Sequence, residues 1–191
     1  MVAGTREHAE ALRAEVRQVL APIGLRLSEA KTSVVHLDEG FDFLGWRIQR
    51  RRKRGTSQQF LYTYPSKKAL LSVTARVRTL TRRAKNRTLS ELLHRLNPVL
   101  RGWAAYFCHG VSKRTFDYLG HFAWQRVVGW LRKRHPGTSW AALRRRFLPG
   151  WRPTQHGIEL FNPATVTVTR YRYRGTKIPN PWTAATTSTA A

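Results

Sequence analysis

The sequence predicts a mainly α-helical protein with small β elements, and three observations carry that prediction. Apolar residues recur at helical spacing in six stretches between residues 5 and 147. Most of these stretches open on a capping residue, and Pro or Gly stops several of them. Period-two alternation is confined to short runs, which predicts strands too few to close a large sheet.

Thr5 caps the first predicted helix, which runs to about Leu20 with Ala9, Leu12, Val16 and Val19 or Leu20 as its apolar stripe, until Pro22 and Gly24 end it. Leu25–Leu27 reads as a short extended piece. Thr32–Leu37 and Phe41–Ile48 read as two strands joined at Asp38-Glu39-Gly40. One helix and a hairpin cannot enclose a core, so residues 1–48 read as the edge of something larger. Gln49–Gly55 is a basic arm, and Gln59–Tyr64 with Pro65 is strand-like.

Lys67–Arg83 reads as a helix with Leu70, Val73, Val77 and Leu80 inward and Arg76, Arg78, Arg82 and Arg83 outward. Thr88-Leu89-Ser90-Glu91 is a capping box that starts a helix through Leu96. Asn97 then suits an N-cap and Pro98 a first helical position, so Pro98–Phe107 reads as a separate central helix. Leu96, Leu100, Trp103, Ala104 and Phe107 share its buried face, and Arg101 points away. Ser112 opens a longer helix from Lys113 to about Arg134, with Phe116, Leu119, Ala123, Val127 and Trp130 or Leu131 inward. Pro136-Gly137 breaks it, and Ser139 starts a short helix with Trp140, Leu143 and Phe147 inward and Arg144–Arg146 around it. Gly157–Phe161 and Val166–Tyr173 are strand-like, and the small polar tail from Thr183 reads as disordered.

Charge then narrows the function. The 191 residues hold 35 Lys and Arg against 10 acids, a formal net charge of +25. Residues 1–49 are near balance, with six basic residues and seven acids, whereas residues 50–191 carry 29 basic residues and three acids, Glu91, Asp117 and Glu159. A folded body with that excess calls for a polyanion, and nucleic acid is the natural one. An apolar fraction of 41% argues against a merely disordered basic tail. No apolar run approaches the roughly 20 residues of a spanning helix, and no signal peptide opens the chain. A single cysteine, Cys108, excludes an internal disulfide and a Cys-based zinc site. The chain therefore reads as an intracellular, cytoplasmic protein associated with nucleoid or ribonucleoprotein, with no membrane partner.

Catalytic chemistry is not written in the residues. Two-metal nucleotidyl transfer needs converging carboxylates, and the three acids after residue 49 are far apart in sequence. Asp38, Glu39 and Asp42 cluster in a predicted turn, where solvated acids are expected. The seven histidines show no metal-ligand spacing, and no phosphate loop or Ser/His/Asp pattern appears. No metal site and no cofactor are expected for this chain. Trp103, Trp124, Trp130 and Trp140 fall at or near apolar-face positions and read as core. Tyr62, Tyr64, Tyr171 and Tyr173 lie among basic residues in strand-like segments, where stacking on bases and packing both remain open.

Three separated stretches in order, GLRLSEAKTSVVHLDEGFDFLGWRI, LNPVLRGWAAYF and TKIPNPW, resemble the C-terminal part of group II intron reverse transcriptase/maturases. The resemblance spans nearly all of residues 5–182. It implies that residues 1–48 are the end of a polymerase palm, with a primer-grip-like segment at Phe41, Phe43, Leu44, Gly45 and Trp46. Lys31 stands at the late palm lysine, with a catalytic role only if another chain completes the site. Residues 49–150 would be the helical thumb and maturase domain X, 151–182 a strand-containing extension and 183–191 the tail. The family's Tyr-x-Asp-Asp motif is not in this sequence, which implies a truncated remnant or half of a split polymerase. Magnesium and a DNA target then belong only to an intact relative.

The resulting expectation is an RNA-binding maturase-type domain, not itself an enzyme, whose partner is group II intron RNA and which assists intron folding, splicing and mobility. Its phosphate-contacting residues would be Arg50, Arg51, Arg52, Lys53, Arg54, Lys67, Lys68, Arg76, Arg82, Arg83, Arg101, Lys113 and Arg114. The alternative partner is an N-terminal reverse transcriptase fragment that supplies the missing palm.

Overall fold

A computed structural model describes residues 4–169. They fall into two units, one of residues 4–41 and 49–61, the other of residues 42–48 and 62–169. Tyr171, Tyr173, the TKIPNPW stretch and the tail expected from Thr183 lie outside the described residues.

In the first unit Thr5 caps helix α1 (Arg6–Leu20). Its hydroxyl accepts from the His8 N–H while His8 Nδ1 accepts from the Thr5 N–H. A 3-10 turn at Ala21–Ile23 and Gly24, at φ +73°, end the helix as expected. The apolar stripe of α1 stays uncovered: none of its residues is buried, and Val19 is 72% exposed. Residues 32–37 form no strand, correcting the expected two-strand reading. Alternation alone makes no strand without a ladder partner; β2 does reach this stretch through Arg50 N–H to Leu37 O at 2.8 Å.

Three strands, β1 (Phe41–Phe43), β2 (Trp46–Arg52) and β3 (Gln59–Pro65), form a sheet in that order. The stretch 41–48 is thus split by a two-residue turn at Leu44 (φ +47°) and Gly45 (φ +81°). Paired left-handed residues suit such a hairpin turn, but leucine there costs about 1–2 kcal/mol, so the signal was weak. Tertiary bonds hold it: Tyr106 Oη donates to Leu44 O and Ser66 N–H to Gly45 O, each at 2.8 Å. The basic arm is likewise ordered, its first residues within β2 and the rest in the following turn, where Lys53 N–H meets Gln58 O at 2.9 Å.

The second unit is built on three helices, α2 (Lys67–Arg83), α3 (Leu89–Phe107) and α4 (Lys113–Arg134), followed by short α5 (Trp140–Phe147). Val73, Val77, Leu92, Leu93, Leu96, Leu100, Leu119, Val127 and Leu131 form its main core. Ala104, Phe107 and Phe116 form a second cluster, on which Trp46 packs edge-on to Phe107 at 4.8 Å between centroids. Trp103 is half-buried and borders both clusters rather than being enclosed. Trp130 is buried, while Trp124 and Trp140 are partly so.

One boundary differs from the sequence reading. Residues 89–107 are a single helix with Pro98 inside it, and Asn97 is buried instead of capping. Its side-chain amide donates to Glu159 O at 2.8 Å and accepts from the Phe161 N–H at 2.9 Å. That exchange ties α3 to the C-terminal segment and offsets the bond that Pro98 cannot make to the His94 carbonyl. Ser112 occupies the N-cap of α4, but its hydroxyl makes no capping bond and is buried without a partner. The expected strand Gly157–Phe161 shrinks to β5 (Ile158–Glu159), paired antiparallel with β4 (Thr154–Gln155). Residues 166–169 are not a strand, although Thr169 N–H donates to Cys108 O at 2.9 Å.

Candidate nucleic-acid interface

Helices α2 and α4 lie side by side, and a groove of about 520 Å³ opens along them near their C-terminal ends. Arg82 and Lys85 line one wall; Arg126, Lys133 and Arg134 line the other. No acid lines it. Cations in the last turns of both helices also suit the negative ends of the helix dipoles, which explains why the local fold tolerates them. Five cations around one opening nevertheless make a strong anion trap.

The guanidiniums are positioned by the scaffold. Arg126 donates from Nε and Nη2 to Thr81 Oγ1 at 3.3 and 3.1 Å, and the buried Thr81 hydroxyl is within 3.0 Å of Val77 O. Arg134 donates from Nη1 to Lys85 O at 2.7 Å and lies 5.9 Å from the Trp130 ring. The Trp130 indole donates to Ala84 O at 3.0 Å, fixing α4 against the end of α2. Between these side chains Gly129 presents bare backbone, and an added Cβ there would meet nothing within 4 Å.

Of the residues expected to contact phosphate, Arg82 is in this groove, and Arg76 and Arg83 are exposed elsewhere on α2. Lys67 and Lys68 occupy the first turn of α2 and Arg114 that of α4, all exposed. The Lys113 ammonium bonds the Ala164 carbonyl. Arg101 faces outward as expected, yet its guanidinium lies over the Phe161 ring at 5.3 Å.

In the other unit, Arg50 grips Asp38 through two bonds of 2.5 and 2.9 Å, an arrangement that holds the Asp38 carboxyl below the usual carboxylate range. Arg51 reaches Gln49 and Arg52 reaches the Thr56 carbonyl, each at 2.8 Å, while Lys53 and Arg54 are exposed in the turn.

The primer-grip-like residues separate. Gly45 and Trp46 pack on α3, Phe43 and Leu44 are 57% and 70% exposed, and Phe41 is half-buried. Lys31 is exposed. Among the described residues, no three His, Cys, Asp or Glu side chains converge where a metal ion could sit. No helix among them is long and apolar enough to cross a membrane.

Sequence reasoning missed Lys85, Arg126, Lys133 and Arg134. The signal was available on α4, where Arg126, Trp130, Lys133 and Arg134 recur at i, i+4, i+7 and i+8 and so form one stripe. Only the neighbour helix turns that stripe into a groove.

The family comparison covers the same elements. Residues 70–148 match the family described as "Group II intron, maturase-specific domain". The chain is also 41% identical over 70 residues to Protein YkfC of Escherichia coli (strain K12), a stretch covering 36% of this chain and 18% of that protein. The chain therefore spans well under a third of that relative in the matched region. Residues 70–148, from within α2 through α5, are thus similar to a group II intron maturase-specific domain.

Proposed function

We propose that the chain binds structured group II intron RNA through the α2/α4 groove and thereby assists intron folding and splicing. The observation that carries this reading is the groove itself: five cations, no acid, and two arginines held in place, Arg126 by the buried Thr81 hydroxyl and Arg134 by the Lys85 carbonyl. Phosphates suit it better than base edges, since A-form RNA hides its bases in a deep major groove and is read by shape and backbone. In this reading the chain catalyses no nucleotidyl transfer itself. Glu91 caps α3 and Glu159 pairs with Arg152 at 3.0 Å, so two of the three acids after residue 49 serve the fold. If six to ten phosphates are neutralised, log affinity falls with log salt at a slope of about −4 to −9. Filter binding of a folded intron RNA across a salt series tests this, and a slope near zero rejects it.

A second reading rests on the uncovered stripe of the first unit, where Val19, Ile23 and Leu25 are 72%, 67% and 55% exposed. Apolar exposure of that kind suits a partner polypeptide, and a separately made reverse transcriptase palm is the partner this reading names. Co-expression with such a palm chain, followed by co-purification and primer extension, tests it. Absence of a complex rejects it.

A further inference from the structure

Trp151 is a bulky aromatic held in the left-handed region, at φ +65°, directly after Gly150 at φ +57°. Non-glycine residues hold the left-handed region only where the surroundings impose it, and such positions concentrate at functional sites. Here the imposing contact is the Trp124 indole, which donates to the Trp151 carbonyl at 2.8 Å. The turn also closes through Trp151 N–H to Leu148 O at 3.1 Å. This geometry presents the side chain outward, 53% exposed, where packing alone would have favoured burial.

What surrounds the ring is as specific. The Arg144 guanidinium lies 5.0 Å from its centroid, Trp140 lies 6.5 Å away, and Arg132 sits 5.2 Å from Trp140. Two cations thus flank a pair of indoles along one ladder, Arg132–Trp140–Trp151–Arg144. The nearby Arg152 is paired with Glu159, so the ladder's own arginines keep their charge for a ligand. The segment matched by the maturase family ends at residue 148, just before this turn.

We propose that Trp151 is a stacking platform for an unpaired nucleobase of the bound RNA, with Arg144 and Arg132 on the flanking phosphates. This rests on the RNA-binding reading above and adds a base-recognising site to its backbone-gripping groove. Every base has a π-face, so the site selects unpaired nucleotides by stacking and not by sequence. Arginine beside the ring serves as a second stacking plane and as the counter-charge.

The test uses the full chain and two RNA hairpins, one with a single bulged adenosine and one with an abasic ribose at the same position. Wild-type protein is expected to prefer the base-bearing hairpin by roughly 5- to 100-fold. Trp151→Ala should bind both hairpins equally, with the salt slope unchanged, and Trp151→Phe should recover part of the preference. Placing 2-aminopurine at the bulge gives an independent signal, quenched by wild type and not by Trp151→Ala. Salt-dependent binding without any base preference, or a preference that survives in Trp151→Ala, overturns the platform and leaves the groove standing. Failure of wild type to bind either hairpin rejects both readings.

Discussion

Asn97 and Glu159, 62 positions apart, are joined by a 2.8 Å hydrogen bond from the asparagine amide to the glutamate backbone carbonyl. The same side chain accepts from Phe161, so one residue completes the backbone pairing of the C-terminal segment against α3. Asn97→Ala is expected to strand both groups, at about 1–3 kcal/mol each where water cannot replace the lost partner. Asn97→Asp should be intermediate, since a carboxylate accepts from Phe161 but cannot donate to Glu159. Thermal melts of both variants check this; an unchanged midpoint in Asn97→Ala removes the tie's importance.

The groove yields a substitution that separates stability from binding. Gly129 sits inside α4 with open space above it. Gly129→Ala should leave the fold intact or stabilise it, by up to about 1 kcal/mol of helix propensity. Gly129→Glu should fill the groove and add an acid among its five cations, weakening RNA binding at low salt by tenfold or more. Equal affinity of Gly129→Glu and wild type would move the interface elsewhere.

Gly110 is the opposite kind of glycine. A Cβ added there would lie 2.2 Å from Trp46 Cζ3 and 2.7 Å from the Thr63 carbonyl oxygen. The carbonyl belongs to β3 and bonds the Val111 N–H at 2.7 Å, so it cannot retreat. Gly110→Ala is therefore expected to destabilise by about 1–3 kcal/mol, as overpacking does. Chemical denaturation that shows no change would mean the Trp46 ring swings aside freely.

The two faces of α3 predict distinct losses. Trp103 lies 4.5 Å from Phe107 and 6.0 Å from Phe116 between ring centroids, and Trp103→Ala should cost about 3 kcal/mol, the low end for a deleted core aromatic. Arg101→Ala loses an exposed cation–π contact with Phe161, about 0.5–1 kcal/mol, and should flatten the RNA salt slope by about one unit. Paired melts and titrations check both.

Glu91 makes acid sensitivity a local question. Its carboxylate accepts from the Thr88 N–H at 2.8 Å, which holds its pKa below the usual glutamate range. A carboxyl group with a depressed folded-state pKa adds stability that is present above its unfolded pKa and is lost as pH falls through the lower folded value. Wild type should thus lose part of its stability over that acid window, and Glu91→Gln should lose less there. Identical pH profiles for the two proteins would deny the capping box a role.

Several features of this protein were legible from neighbours within one helical turn. Thr5, Thr88 with Glu91, and Ser139 cap their helices, and Phe116, Leu119, Ala123, Val127 and Leu131 are all buried on the expected face of α4. Such signals act between residues three and four apart, where the helix brings them together whatever the rest of the chain does. The excess of positive charge after residue 49 was equally plain.

Tertiary structure decided the remainder, because each case turned on a partner distant in the sequence. Asn97 had the chemistry of a cap, but Glu159 and Phe161 claimed its side chain, and the helix ran on through Pro98. Residues 32–37 had strand composition and lacked a ladder. Arg126 and Lys133 were ordinary surface charges on α4 until Arg82 and Lys85 of α2 faced them across a groove. Periodicity specifies which face of a helix is apolar; which other helix meets it depends on the global packing that repays the entropy of closing the intervening loops.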